Sequence, residues 1–174
     1  IGVNVALAMK NSVFVRISGL LAFFFAGLTL LIGIYRFRFI KMFSRAEVIK
    51  YHAVLGFFSV LFLGIHILNA LLDVPGWGST IRLIHVVWPT FAGATLRGVA
   101  WGVIGMYLLL VTMLTGVFFM RMARAIGYKV WLFLHRLSFA FYAFIFYHAL
   151  KIGSDFASWY VRILFGHVLL LILI

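Results

Sequence analysis

The sequence predicts an all-α membrane protein, a bundle of five to six transmembrane helices, and three observations carry that prediction. Apolar runs fill the chain: 66% of its 174 residues are hydrophobic and mean hydropathy is +1.20. That is the composition of a membrane protein rather than a soluble domain. Charge is sparse, at 10% of residues, and the cations gather in short segments between the apolar runs. Proline is rare and glycine common, 2 against 16, which suits helices that approach closely in lipid. The whole chain, 1–174, reads as a single transmembrane domain.

A helix needs about 20 apolar residues to cross the hydrocarbon core. Residues 1–9 are apolar but too short to span, and read as the tail of a further helix or an interfacial segment. Five segments qualify: 13–35, 47–72, 97–121, 129–151 and 156–174. The last is short and is expected to continue. The chain opens with Ile1 and stops inside HVLLLILI, so it reads as a piece of a longer polypeptide. Between the third and second spans, DVPGWG suggests a turn and IRLIHVVWP a short interfacial helix ended by Pro89.

The formal charge of +12 comes from 15 Lys and Arg against 3 Asp and Glu. No basic and aromatic groove pattern accompanies it, so nucleic acid is not the expected partner. The lipid bilayer is. RFRFIKMFSRAEVIK, between the first two spans, carries Arg36, Arg38, Lys41, Arg45 and Lys50 against Glu47. RMARAIGYK, between the third and fourth, carries Arg121, Arg124 and Lys129. The other connections hold fewer cations and also contain Asp73 and Asp155. The positive-inside rule places loops 36–46 and 122–128 in the cytoplasm. Residues 73–96, Lys10 and 152–155 then lie outside, with the C-terminus cytoplasmic. Trp77, Trp88, Trp101 and Trp159 fall near the expected outer boundaries, where aromatic rings prefer to sit. The chain has no cysteine, which removes thiolate ligands and disulfides.

Ionisable side chains within a span are costly and usually functional. His52 and His66 lie on the second span with thirteen residues between them; His135 and His148 lie on the fourth with twelve. Fourteen helical steps rise about 21 Å and leave the first two side chains some 40° apart on one face. Thirteen steps rise about 19.5 Å but leave the second two roughly 140° apart on a straight helix. The two helices run parallel because one span separates them. Depth therefore pairs His52 with His135 and His66 with His148. Each pair offers two neutral imidazoles, suited to the axial positions of a haem iron. Zinc is disfavoured, because two histidines do not complete a tetrahedral set.

The expected fold is thus a bundle holding two stacked haems, both haem b. Gly56, Gly64, Ala140 and Ala143 offer the close backbone approach that a flat ring requires. Lys50, Arg136 and Arg36 are placed to meet propionates at the inner site, and Arg16 at the outer one. Each of these cations also suits plain snorkelling. Phe141 falls midway between His135 and His148, positioned either between the macrocycles or as packing. His85 reads as a loop residue and His167 as a packed or hydrogen-bonded one.

The double spacing resembles the ferric reductase-like transmembrane domain shared by ferric reductases and NADPH oxidases. VWLFLHRLSFAFYAFIFYHA is similar to that family's second ligand helix, and the basic segment before YHAVLG to its cytoplasmic loop. The resemblance covers about 13–174. It implies His52 and His135 as inner ligands, His66 and His148 as outer ligands, Arg16 near the electron-acceptor pocket, and Phe141 as the aromatic between the haems. NADPH oxidases commonly carry another histidine one turn after the outer ligand, where this chain has Ala70. Family members acting alone also carry FAD and NAD(P)H sites. No glycine-rich phosphate loop occurs here, so the donor site is expected on a further domain or a partner subunit.

The reading that results is an oxidoreductase membrane domain. It passes electrons from a cytoplasmic flavin and nucleotide-binding domain to an external acceptor, oxygen (giving superoxide) or ferric iron. One alternative is a haem-bearing anchor subunit exchanging electrons with quinone. Another, from a different class, is a transporter or channel whose histidines relay protons, which the scarcity of carboxylates within the spans disfavours.

Overall fold

The computed structural model describes residues 2–73 and 81–173, with side chains at 13–72, 81–155 and 158–171. The expected DVPGWG turn, Trp77 and the side chain of Lys10 lie outside these. Among the described residues the chain is helical with no strand. Its helices are α1 (Gly2–Ile34), α2 (Arg36–Phe39), α3 (Arg45–Asp73), α4 (Leu83–Val87), α5 (Gly93–Val117), α6 (Phe119–Ile126), α7 (Tyr128–Ile152) and α8 (Trp159–Leu173). A 3-10 turn, Ser154–Ala157, joins the last two.

Four helices are long and apolar enough to cross a membrane: Val13–Ile34 within α1, Arg45–Leu72 within α3, α5 and α7. These match the first four expected spans. The fifth, expected from 156 and expected to be short, begins as α8 only at Trp159. α8 has 15 residues, which at about 1.5 Å each fall short of a roughly 30 Å hydrocarbon core. The 1–9 segment is not separate either, because α1 begins at Gly2 and continues unbroken into the first span.

Local chemistry sets the boundaries that position the histidines. Ser44 and Glu47 form a reciprocal cap on α3: Ser44 N–H donates to Glu47 Oε2 at 2.8 Å, and Glu47 N–H to Ser44 Oγ at 3.2 Å. This satisfies donors that a helix start otherwise leaves open. The third span was expected over 97–121, but α5 starts at Gly93 and ends at Val117, shifted by one turn. The chain bends at Phe118 and restarts as α6, so Arg121 and Arg124 sit on a short helix rather than in a loop. Gly127, at φ +81°, makes the turn into α7, a conformation that side chains with a Cβ disfavour.

α1 packs against α3 and α5 against α7, giving two tight helix pairs. Small residues allow this. A methyl group added at Gly98 would lie 2.7 Å from Ile152 Cγ1, and one at Gly105 2.6 Å from Ile145 Cγ2. In lipid, where apolar surface alone gives helices little reason to associate, such close approach is what holds them together. The core joins α1, α5, α7 and α8: Phe23 lies 4.6 Å from the Tyr142 ring and 4.5 Å from Phe165, centroid to centroid. α3 and α7 face each other across a gap instead of packing closely.

At the end opposite the cationic segments, IRLIHVVWP does contain a helix, α4, and Trp88 closes it. Trp88 and Trp159 are strongly exposed there. Trp101 instead stacks on Phe144 at 5.0 Å, between α5 and α7.

Candidate functional site

The gap between α3 and α7 is where the four histidines meet. The His52 and His135 ring centroids lie 6.1 Å apart, and those of His66 and His148 6.4 Å. First meets first and second meets second, so α3 and α7 run in the same direction, as the depth argument requires. An imidazole nitrogen sits about 1.1 Å from its ring centre and bonds a metal at about 2.0–2.1 Å, so two imidazoles on opposite sides of one ion place their centres about 6.2 Å apart. Both observed separations fit that arrangement.

The outward-facing nitrogens are anchored by one repeated contact. His66 Nδ1 meets the Val15 carbonyl at 2.8 Å, His52 Nδ1 the Thr29 carbonyl at 3.0 Å, and His148 Nδ1 the Gly98 carbonyl at 2.9 Å. A carbonyl only accepts, so each Nδ1 carries the proton and each Nε2 keeps its lone pair. His135 Nδ1 lies 2.9 Å from Thr115 Oγ1. That hydroxyl already donates to the Thr112 carbonyl at 2.6 Å, so it accepts from His135. All four rings are therefore in one tautomer, with the second nitrogen held as metal-binding histidines usually hold it.

Three of the rings also rest on a glycine one turn beyond the accepting carbonyl. An added methyl group would lie 2.9 Å from His66 Nδ1 at Gly19, 3.3 Å from His52 Cε1 at Gly33, and 2.6 Å from His148 Nδ1 at Gly102. At Gly116 the distance to His135 Cε1 is 3.8 Å. These glycines were not anticipated, although a signal existed. Gly19 and Gly33 are fourteen residues apart, as are Gly102 and Gly116, which is the interval from His52 to His66.

The awkward azimuths of His135 and His148 do not require a break in α7, which stays one helix. The two side chains reach the gap by different routes. His148 presses directly against α5 at Gly102, while His135 stands off and is met by the Thr115 hydroxyl. Trp131 stacks on His135 at 5.4 Å and 14°, and its Nε1–H donates to the Thr115 carbonyl at 2.8 Å.

Two cavities accompany the pairs. The one at His66 and His148 is about 390 Å³ and the one at His52 and His135 about 50 Å³. Ser59, Leu109 and Phe141 line both, forming the partition between them. Phe141 thus occupies the midway position its sequence place suggests. Ser59, wholly buried, ties α3 to α1 by donating to the Ala22 carbonyl at 3.1 Å.

The remaining expected residues distribute unevenly. Gly56 lines the smaller cavity and Ala70 the larger. Arg16 lines the larger one too, and donates from Nε at 3.0 Å and from Nη2 to the two carboxylate oxygens of Asp155. That guanidinium holds the Asp155 carboxyl below its usual range. Lys50, Arg136 and Arg36 are exposed and line neither cavity; Arg36 lies over the Phe37 ring at 4.8 Å. Gly64 meets nothing within 4 Å. His85 accepts from Arg82 N–H at the start of α4, and His167 bonds the Ile163 carbonyl.

Among the described residues no group of three or more His, Cys, Asp or Glu side chains comes together. Each site offers two imidazoles in a mainly apolar wall, with Arg16, Asp155 and Ser154 at the larger cavity, Thr29, Thr112 and Ser138 at the smaller, and Ser59 at both. No family model, curated protein or solved structure matches the chain.

Proposed function

We propose that this chain is the haem-bearing membrane domain of a transmembrane oxidoreductase. In this reading His52 and His135 hold an inner haem b, His66 and His148 an outer one, and α8 belongs to a fifth span in a bundle of five to six. The observation that carries it is the matched geometry of the two pairs, each separated by the width of one doubly ligated metal and each with its Nδ1 protons already engaged. The resemblance to the ferric reductase-like domain points the same way.

When bound, the haems supply one-electron chemistry linking a cytoplasmic flavin and NAD(P)H donor, on a domain or subunit of its own, to oxygen or ferric iron outside. The protein's residues do the positioning. α1 and α5 carbonyls orient three of the imidazoles, the glycines let the rings approach, and Phe141, Leu109 and Ser59 stand between the two sites. Arg16, paired with Asp155, is the charged group at the mouth of the outer cavity. The cationic loops face the cytoplasm.

Replacing His66 with Ala tests the pathway. The variant is expected to keep one haem per chain, to remain reducible at the inner site, and to lose delivery to the external acceptor. Undiminished transmembrane flux in that variant would contradict the assignment.

A further inference from the structure

We propose that Thr115 is a positioning residue that makes the inner histidine pair chemically distinct from the outer, by interposing a hydroxyl between the Nδ1 proton of His135 and a main-chain carbonyl. The inference rests on the haem reading above and concerns one residue to which that reading gives no part.

Three histidines follow one rule: Nδ1–H donates to the carbonyl four residues before a glycine on the neighbouring helix. Val15 precedes Gly19, Thr29 precedes Gly33 and Gly98 precedes Gly102 in this way. The same rule assigns His135 to the Thr112 carbonyl, four residues before Gly116. The structure interposes Thr115 in front of that carbonyl, which still acts on the His135 ring. Thr115 Oγ1 accepts from His135 at 2.9 Å and donates onward to Thr112 at 2.6 Å.

The cause is a mismatch of intervals. The glycines on α5 are fourteen residues apart but the histidines on α7 only thirteen, so both rings cannot make the same contact. His148 sits close, and His135 stands off by the extra distance seen at Gly116. A side chain of one hydroxyl's reach fills that interval. Thr115 is wholly buried, and Trp131 fixes it by bonding its carbonyl while stacking on His135.

The chemical consequence follows from acceptor strength. A helix carbonyl draws on an imidazole proton more strongly than a neutral hydroxyl, and that pull raises the basicity of the ligating nitrogen. His135 is thereby the less electron-rich ligand, and a metal it holds is more easily reduced. Such an effect acts through hydrogen bonding around the axial ligand, one of the protein's means of setting potential.

The test is a redox titration with electron paramagnetic resonance on the full chain purified with haem, comparing Thr115→Val and Thr115→Ser with the parent. Thr115→Val keeps the shape and removes the acceptor. It is expected to raise the inner midpoint potential and alter the inner low-spin signal, or to release the inner haem, leaving the outer signal intact as a control for folding. Thr115→Ser is expected to restore the parent values. Unchanged inner potential and spectrum in Thr115→Val, or equal movement of both sites, would overturn the assignment. A parent chain that takes up no haem overturns the functional reading itself, and this inference with it.

Discussion

At the scale of single residues, the site depends on absent side chains as much as on present ones. Gly102 leaves no room for a methyl group beside His148, whereas Gly64 faces open space. Gly102→Ala is expected to cost about 1–3 kcal/mol through overpacking and to displace His148, lowering outer-haem content. Gly64→Ala is expected to stay within about 0.5 kcal/mol of the parent. Thermal unfolding and haem stoichiometry of the two variants check this; equal behaviour would mean the close contact at His148 is unimportant. The histidines were legible in the sequence because an ionisable group in an apolar run stands out. The glycines that seat them were not, since glycine serves helix packing throughout such a chain. Only the coincidence of intervals between His52/His66 and Gly19/Gly33 distinguishes them.

At the scale of elements, the spans were legible from hydropathy and the ends were not. Apolar runs report where lipid begins, but a helix stops where its backbone donors and acceptors find other partners. Ser44 and Glu47 start α3 in this way, and Phe118 and Gly127 divide α5, α6 and α7 where the sequence shows only continuous apolar and basic residues. The cations meant for the inner site illustrate a related limit. Arg36, Lys50 and Arg136 sit at the right depth in the sequence, yet depth does not fix azimuth, and all three are exposed and outside the lining of either cavity.

The 3-10 turn is fastened to α1 by the Arg16–Asp155 pair, an element contact invisible in sequence because 139 residues separate the partners. Asp155 is held below its usual carboxylate range by this hydrogen bond. A depressed carboxyl contributes stability that is complete above its unfolded value, near 3.9, and is lost as pH falls through the folded one. Acid titration of the parent is therefore expected to lose this contribution below about pH 4. Asp155→Asn should lack that step. Because the pair is largely exposed, the effect is expected to be about 0–1 kcal/mol and to weaken with salt. Identical acid profiles for parent and variant would remove the pair from the account.

At the scale of the whole molecule, two tight helix pairs, α1/α3 and α5/α7, lean together so that α3 and α7 present histidines across a seam. The parallel direction of those two helices, read from a single intervening span, is what brings equal depths together. The two ends of the seam differ in volume and in the acceptor that holds His135. Phe141 stands between them with Ser59 and Leu109. The architecture therefore separates two similar sites along the length of α3 and α7, with α1, α3, α5 and α7 lining both.

The most direct measurement is the haem content and optical spectrum of the purified full chain, expressed with haem available. Two b-type haems per chain, each six-coordinate and low-spin, are expected, and replacing either histidine of a pair should remove one of them. A chain that purifies folded and helical with no haem band would contradict the central claim that facing imidazoles form two axial ligand sets.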